Sequence, residues 1–177
     1  MLDRLWMVVG MLLCSVSSAN ALPDGKYTYV VDPTVAAHEA TVNAAINKTA
    51  KTFNFLFRGF VRSKLRGINP VYDHIIVDYT APTLVLSSGD LSMSLTGVAL
   101  KGFPHTTPKG IPVTVDQEIR DWTVRRRYDA GNGYQEVLYT FESEHKTLIV
   151  DVWVGSRHFS EPMQYRLYYT RQTATEE

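Results

Sequence analysis

The sequence predicts a mainly β fold, an antiparallel up-and-down β-barrel of about eight to ten strands with a helical insertion after the first strand. Three observations predict it. Short runs rich in Val, Ile, Thr and Tyr recur along the chain, separated by Gly, Pro and Asn turn signals. Several of these runs alternate. Leu91, Met93 and Leu95 share one face against Ser92, Ser94 and Thr96; Val113, Val115 and Ile119 oppose Thr114, Asp116 and Glu118; Leu148, Val150, Val152 and Val154 form a further apolar row. One dry and one wet face favours an antiparallel meander. Only one stretch, from Val35 to about Leu65, switches to spacings of three and four.

The elements follow in chain order. Residues 1–21 read as an export signal. Arg4 gives the positive charge, Leu5 to Val16 is a mostly apolar run too short to span a bilayer comfortably, and Ala19-Asn20-Ala21 fits a small-x-small cleavage site. Cys14 follows Leu13 and not a small residue, which disfavours lipoprotein processing. Residues 22–177 then form one domain. Lys26 to Val31 is the first strand, ended by Asp32-Pro33. The helical insertion covers about 34–66. Its apolar face is Val42, Ala45, Ile46, Thr49, Phe53, Leu56, Phe57, Phe60 and Leu65, on one helix or on two meeting near Phe55 to Gly59. Gly67 and Pro70 stop it. Tyr72 to Tyr79, Thr83 to Ser87 and Leu91 to Thr96 read as strands, the last two joined by Ser88-Gly89-Asp90. Gly102 to Gly110, with two prolines, reads as a loop. Four more strands begin near Pro112, Trp122, Tyr134 and Lys146, and Met163 to Arg171 is the last; Thr173 to Glu177 is a polar tail.

Composition narrows the function. The 177 residues carry 18 Lys and Arg against 18 Asp and Glu, so the basic footprint of a nucleic-acid binder is missing. A single Cys excludes a disulfide framework and a cysteine zinc site. The five histidines have no metal-ligand spacing, and neither a nucleophile elbow nor a phosphate loop occurs, so no cofactor, no metal and no catalytic residue is assigned. No stretch after residue 21 is long and apolar enough for a transmembrane helix.

The chain order and two short motifs carry a family resemblance. Gly25-Lys26-Tyr27 opens the first strand and is similar to the Gly-x-Trp start of lipocalins, with Tyr for Trp. Arg166-Leu167-Tyr168 in the last strand resembles the Arg-x-Tyr of fatty-acid-binding proteins. Strand, helical insertion and meander together resemble the fatty-acid-binding branch of the calycins. The resemblance implies a barrel whose interior holds a fatty acid, with Arg166 and Tyr168 binding its carboxylate.

The residues also speak for themselves. On the strand from Trp122 to Tyr128, one face holds Trp122, Val124, Arg126 and Tyr128, which places Arg126 among apolar neighbours. A buried guanidinium needs an anion or several acceptors, and it grips a carboxylate through two parallel bonds. Arg126 meets either the head group of an acidic ligand or an internal acid such as Asp78, Glu136 or Asp151; a shifted register leaves it outside. On the last strand the apolar face is Tyr165, Leu167 and Tyr169, so alternation alone puts Arg166 and Tyr168 outward. Phe53, Phe57 and Phe60 either line a lipid portal, touch an anionic membrane with their basic neighbours, or pack on the sheet. The resulting expectation is a secreted or periplasmic binding protein for a small hydrophobic or amphipathic ligand. Its ligand-binding residues are Arg126, Arg166, Tyr168, Trp122 and Tyr128. The alternatives are a filled barrel that binds another envelope protein, and an enzyme on the same scaffold. A third architecture, an open curved sheet around the Val35–Leu65 helix, moves any pocket to the gap between helix and sheet.

Overall fold

A computed structural model describes residues 22, 24–89, 91–107, 109–142 and 144–172. The expected export signal and polar tail lie outside this range; Leu22, the first described residue, is buried in the core. Ten antiparallel strands form one curled half-barrel, in the order β4-β3-β2-β1-β10-β9-β8-β7-β6-β5. They are β1 (Gly25–Asp32), β2 (His74–Thr80), β3 (Thr83–Ser88), β4 (Leu91–Thr96), β5 (Ala99–Thr106), β6 (Pro112–Arg120), β7 (Thr123–Asp129), β8 (Gly133–Glu142), β9 (Thr147–Ser156) and β10 (Met163–Arg171). Two helices follow the first strand, as predicted: α1 (Val35–Lys51) and α2 (Arg58–Ile68), with one 3-10 turn at Phe55–Phe57 between them.

Alternation decides which face points in. Tyr29 and Tyr169 are buried, as are Val77, Leu84, Val115, Val124, Val137, Leu148, Val150 and Val152. Each side chain of this kind adds about 1.5–3 kcal/mol when removed from water. The register is consistent across the sheet. Tyr27 stands opposite Val77, Leu86 opposite Val77 and Met93, Val137 opposite Val152 and Arg126, and Leu167 opposite Val150. A sheet built this way curls around its apolar face.

The helices cover part of that concave face. β1 pairs with β10 only from Tyr29–Arg171 to Asp32–Tyr168; the chain then leaves the sheet as α1 and lies against β10. Thr34 caps α1, its hydroxyl accepting from the Ala37 amide at 3.1 Å. Val42, Ile46 and Leu65 join the same core as the inward strand residues. Asn69 ends α2 by donating from Nδ2 to the Leu65 carbonyl at 2.8 Å, and Lys109 from the β5–β6 loop reaches the Gly67 carbonyl.

Two expectations need correction. The region from Gly102 to Gly110 is not all loop, because Ala99–Thr106 is β5. It is an edge strand with a register shift between Leu100 and Phe103, and Gly102 sits at φ 64°, in the left-handed region that glycine enters without strain. An edge strand tolerates Pro104 as well, since one side of it needs no ladder bond. Second, the apolar stripe of the insertion does not stay buried. The backbone breaks after Lys51, and Leu56, Phe57 and Phe60 are exposed.

Candidate functional site: a buried arginine beneath an open seam

β4 and β5 are neighbours in sequence, yet they are the two ends of the sheet order, and no ladder joins them. Side chains close the gap instead. Leu95 of β4 packs with Val113 and Val115 of β6, with Met93, Leu100 and Tyr128 around them. Gln117 donates from Nε2 to the Gly97 carbonyl at 3.0 Å, and a backbone bond from the Ile119 amide to the Val98 carbonyl, 2.7 Å, ties the β4–β5 turn to β6.

Arg126 lies under this seam. It is 1% exposed, on the inward face of β7 opposite Gln117 and Val137. Its Nε donates to Gln117 Oε1 at 2.8 Å, Nη2 to the Leu84 carbonyl at 3.2 Å, and Nη1 to the Met93 carbonyl at 3.5 Å. These three bonds occupy three of the five guanidinium donors. All three acceptors are neutral. None of the ion pairs among the described residues includes Arg126. Asp78, Glu136 and Asp151 do not serve it: Glu136 binds Arg125 at 2.8 Å and Arg127 at 3.3 Å, and Asp151 binds Arg166. The Glu136 carboxyl is held below the usual range by the Arg125 hydrogen bond, working against its own burial. Arg126 is thus a desolvated cation without a counter-anion, a costly arrangement unless an anion or full hydrogen bonding compensates it.

The other predicted residues divide. Tyr128 points inward and its hydroxyl contacts Met93 Sδ at 3.8 Å. Trp122 stands in the β6–β7 turn, half-buried, its ring centroid 4.2 Å from that of His145. It packs against the core, and none of the hydrogen bonds of Arg126 involves it. Arg166 and Tyr168 are on the outer face, which corrects the inward placement that the Arg-x-Tyr resemblance implies. Arg166 forms a two-pronged bond to Asp151, at 2.7 and 3.0 Å, and its side chain is 54% exposed. Tyr168 is also exposed. The apolar alternation Tyr165–Leu167–Tyr169 is the row that fills the interior.

A second polar group occupies the space between α2 and the sheet. Asn69, itself buried, accepts through Oδ1 from Tyr165 Oη at 3.0 Å and from Gln135 Nε2 at 3.3 Å. Inward tyrosines crowd the rest. Burial pushes the Tyr29 hydroxyl up to about 12, and it pushes Tyr139, Tyr165 and Tyr169 up as well. Two cavities of about 510 and 250 Å³ open on the surface. The larger lies by Pro104, His105, Pro112 and Asp129, the smaller between Asn132, Tyr134 and Arg157. Neither reaches Arg126.

The helical hairpin presents a different chemistry. Phe55 and Leu56 are each 72% exposed, Phe57 60% and Phe60 63%. Between Glu39 and Asp73 the chain has no acidic residue, but it has Lys48, Lys51, Arg58, Arg62, Lys64 and Arg66. Arg58 donates to the Phe53 and Lys51 carbonyls, Arg66 to Asn43, and Lys64 lies 5.5 Å from the Phe60 ring. No carboxylate among the described residues pairs with any of the six. A chain of zero formal net charge therefore concentrates positive charge around its most exposed apolar side chains. The sequence left this surface open as one of three readings of Phe53, Phe57 and Phe60; the exposure of Phe57 and Phe60 separates them from the core stripe, and the acid-free interval was the further signal.

No family model matches the chain, and no curated protein matches it. Among solved structures it is similar to the Schistosoma mansoni fatty acid binding protein in complex with arachidonic acid, at 14% identity over 85% of this chain and 96% of that one, with a TM-score of 0.47. It is similar also to Echinococcus granulosus fatty-acid-binding protein 1, at 10% identity over 85% and 97% of the two chains and a TM-score of 0.44. The fatty-acid-binding protein of Drosophila melanogaster brain gives 13%, 81%, 94% and 0.43 in the same order. Likeness at this level carries no inference about what this chain binds.

Proposed function

We propose that the chain is a lipid-binding protein of an exported compartment, secreted or periplasmic. It rests on an anionic lipid surface through the α1–α2 hairpin and binds an amphipathic acid, such as a fatty acid, whose carboxylate meets Arg126. The observation that carries this reading is the helical insertion, where exposed Phe55, Leu56, Phe57 and Phe60 share an acid-free interval with six cations, Lys64 lying over the Phe60 ring. An apolar ridge with basic flanks is the pattern that inserts shallowly into anionic bilayers. Arg126 supports the second half, as a buried cation with neutral partners only. In the described state the interior is occupied by its own tyrosines, so uptake requires the β4–β5 seam or the hairpin to part. The export signal expected in residues 1–21 supports the compartment.

The test is sedimentation with vesicles of phosphatidylcholine alone or mixed with phosphatidylglycerol. Binding to the mixed vesicles only, weakened by salt, is expected. Phe55→Ser/Phe57→Ser should abolish it without changing the far-UV spectrum. Equal binding to both vesicle types, or none, overturns the reading. One observation favours a second reading: the occupied interior suits a filled barrel that binds an envelope protein. On that reading a fluorescent fatty acid is not taken up at all.

A further inference from the structure

α1 is fastened to the sheet at its first turn by a single imidazole. His38 is 3% exposed, and its ring meets that of Tyr169 edge-on, with centroids 5.1 Å apart. Nε2 lies 3.2 Å from the Tyr168 amide nitrogen and 3.0 Å from the Asp32 carbonyl oxygen, while Nδ1 is buried without a partner. The Tyr168 N–H needs a lone pair and the Asp32 carbonyl needs a proton. Nε2 can offer only one of these at a time. A neutral ring with an unprotonated Nε2 satisfies the amide. A protonated ring cannot: Nε2 is then a donor and the Tyr168 N–H faces another N–H, while the Nδ1 proton is buried without an acceptor in both states and does not separate them.

We propose that His38 is an acid-operated latch, which while neutral holds the first two turns of α1 against β1 and β10, and on protonation releases them. The groups facing it from each packed element favour this direction. On β1, Asp32 attracts the proton, but its carboxylate already accepts from Thr170 Oγ1 at 2.8 Å. On β10 the neighbours are the exposed Tyr168 and the buried Tyr169, whose hydroxyl donates to the Tyr72 carbonyl at 3.4 Å. On α2 the charged neighbour of α1 is Arg66, held by Asn43. Burial outweighs the pull of Asp32, so His38 stays neutral below the ordinary histidine range. That the release opens the interior to a lipid rests on the function proposed above; the latch itself does not.

Amide exchange read site by site between pH 7 and pH 5 tests it. Once pH is below the ordinary range of a free histidine, the protection of the Tyr168 amide and of residues 35–42 should fall roughly tenfold per pH unit, until His38 itself is protonated. His38→Gln supplies a carbonyl for Tyr168 and an N–H for Asp32 without titrating, so its protection should stay flat. Flat protection in the parent chain, or an equal fall in His38→Gln, overturns the latch. If His38→Gln does not fold, the His38 ring and the Tyr168 amide of the parent chain are titrated by NMR, and differing midpoints overturn it. Vesicle binding at pH 7 is measured alongside. Its failure sinks the lipid reading and leaves the latch standing, while a flat exchange profile does the reverse.

Discussion

Arg126 is a charge held by neutral partners, and this decides how it responds to substitution. Arg126→Met removes a desolvated cation, which favours folding, and strands Gln117 Oε1 and two carbonyls, which opposes it; each effect is worth about 1–3 kcal/mol. The midpoint of thermal unfolding should therefore move little. Affinity for a fatty acid should fall roughly 10- to 100-fold, the value of a charged hydrogen bond, and titration calorimetry with parent and variant checks both. Unchanged affinity removes Arg126 from the site. The titrating residues make a second prediction. Burial lowers the proton affinity of His38 and His145, so the unfolded chain binds protons that the folded chain refuses, and stability is lost as pH falls below the ordinary histidine range. At the alkaline end the sign is the same in form. Tyr29 is raised to about 12, so stability present near neutrality is lost as pH rises through the ordinary tyrosine range. Denaturant midpoints at pH 5, 7 and 10.5 should show a maximum at the middle value. At this scale alternation made Arg126 a candidate: flanked by Val124 and Tyr128 on one face, it was expected to point in unless the register shifted, and it does point in. Its partners were not legible, since Leu84 and Met93 reach it only because the sheet curls.

Between residue and whole, each element either follows its period or breaks it for a local reason. The strands with strict alternation, β4, β6, β9 and β10, lie where the sequence places them, because a one-residue slip would turn every apolar side chain to water. β5 was hidden by Gly102 and Pro104, two residues that ordinarily mark a loop and that an edge can absorb. The insertion kept its period on paper through Phe60, but the chain turns at Thr52–Asn54, and the spacing then points Phe57 and Phe60 outward. Gly155 on β9 makes an element-scale prediction. A Cβ there would stand 2.2 Å from the Tyr134 ring, which itself stacks under the Arg127 guanidinium at 3.8 Å. Gly155→Ala must displace that stack, and a loss of about 1–3 kcal/mol is expected from equilibrium unfolding. The exposed hairpin predicts the opposite behaviour. Phe57→Ser and Phe60→Ser should leave stability within about 0.5 kcal/mol, as surface changes do.

Seen whole, the sheet is best held where ladders are long on both sides and weakest at its free ends. β8, β9 and β10 share eight to ten registered pairs with each neighbour in that group, whereas β4 and β5 each pair on one side only. Amide exchange should therefore be slowest in β9 and fastest in β4 and β5, because opening an edge exposes little else. Equal protection across the sheet would contradict a seam that no ladder closes. Nine of the ten strands and their meander order were readable from the turn signals and the helical interruption; β5 was not. The open seam was not, because it depends on the packing of Leu95 against Val113 and Val115 and on Arg126 beneath them.

The pairing of β1 with β10 has a consequence in time. β1 has its permanent neighbour far along the chain, Tyr29 opposite Arg171, so the sheet cannot be joined through its centre until β10 has been made. Until then β1 can hold only β2, and two separate meanders grow without a shared core. A topology whose decisive contact joins its first and last strands folds slowly, on the order of milliseconds to seconds, and its last step is the arrival of β10.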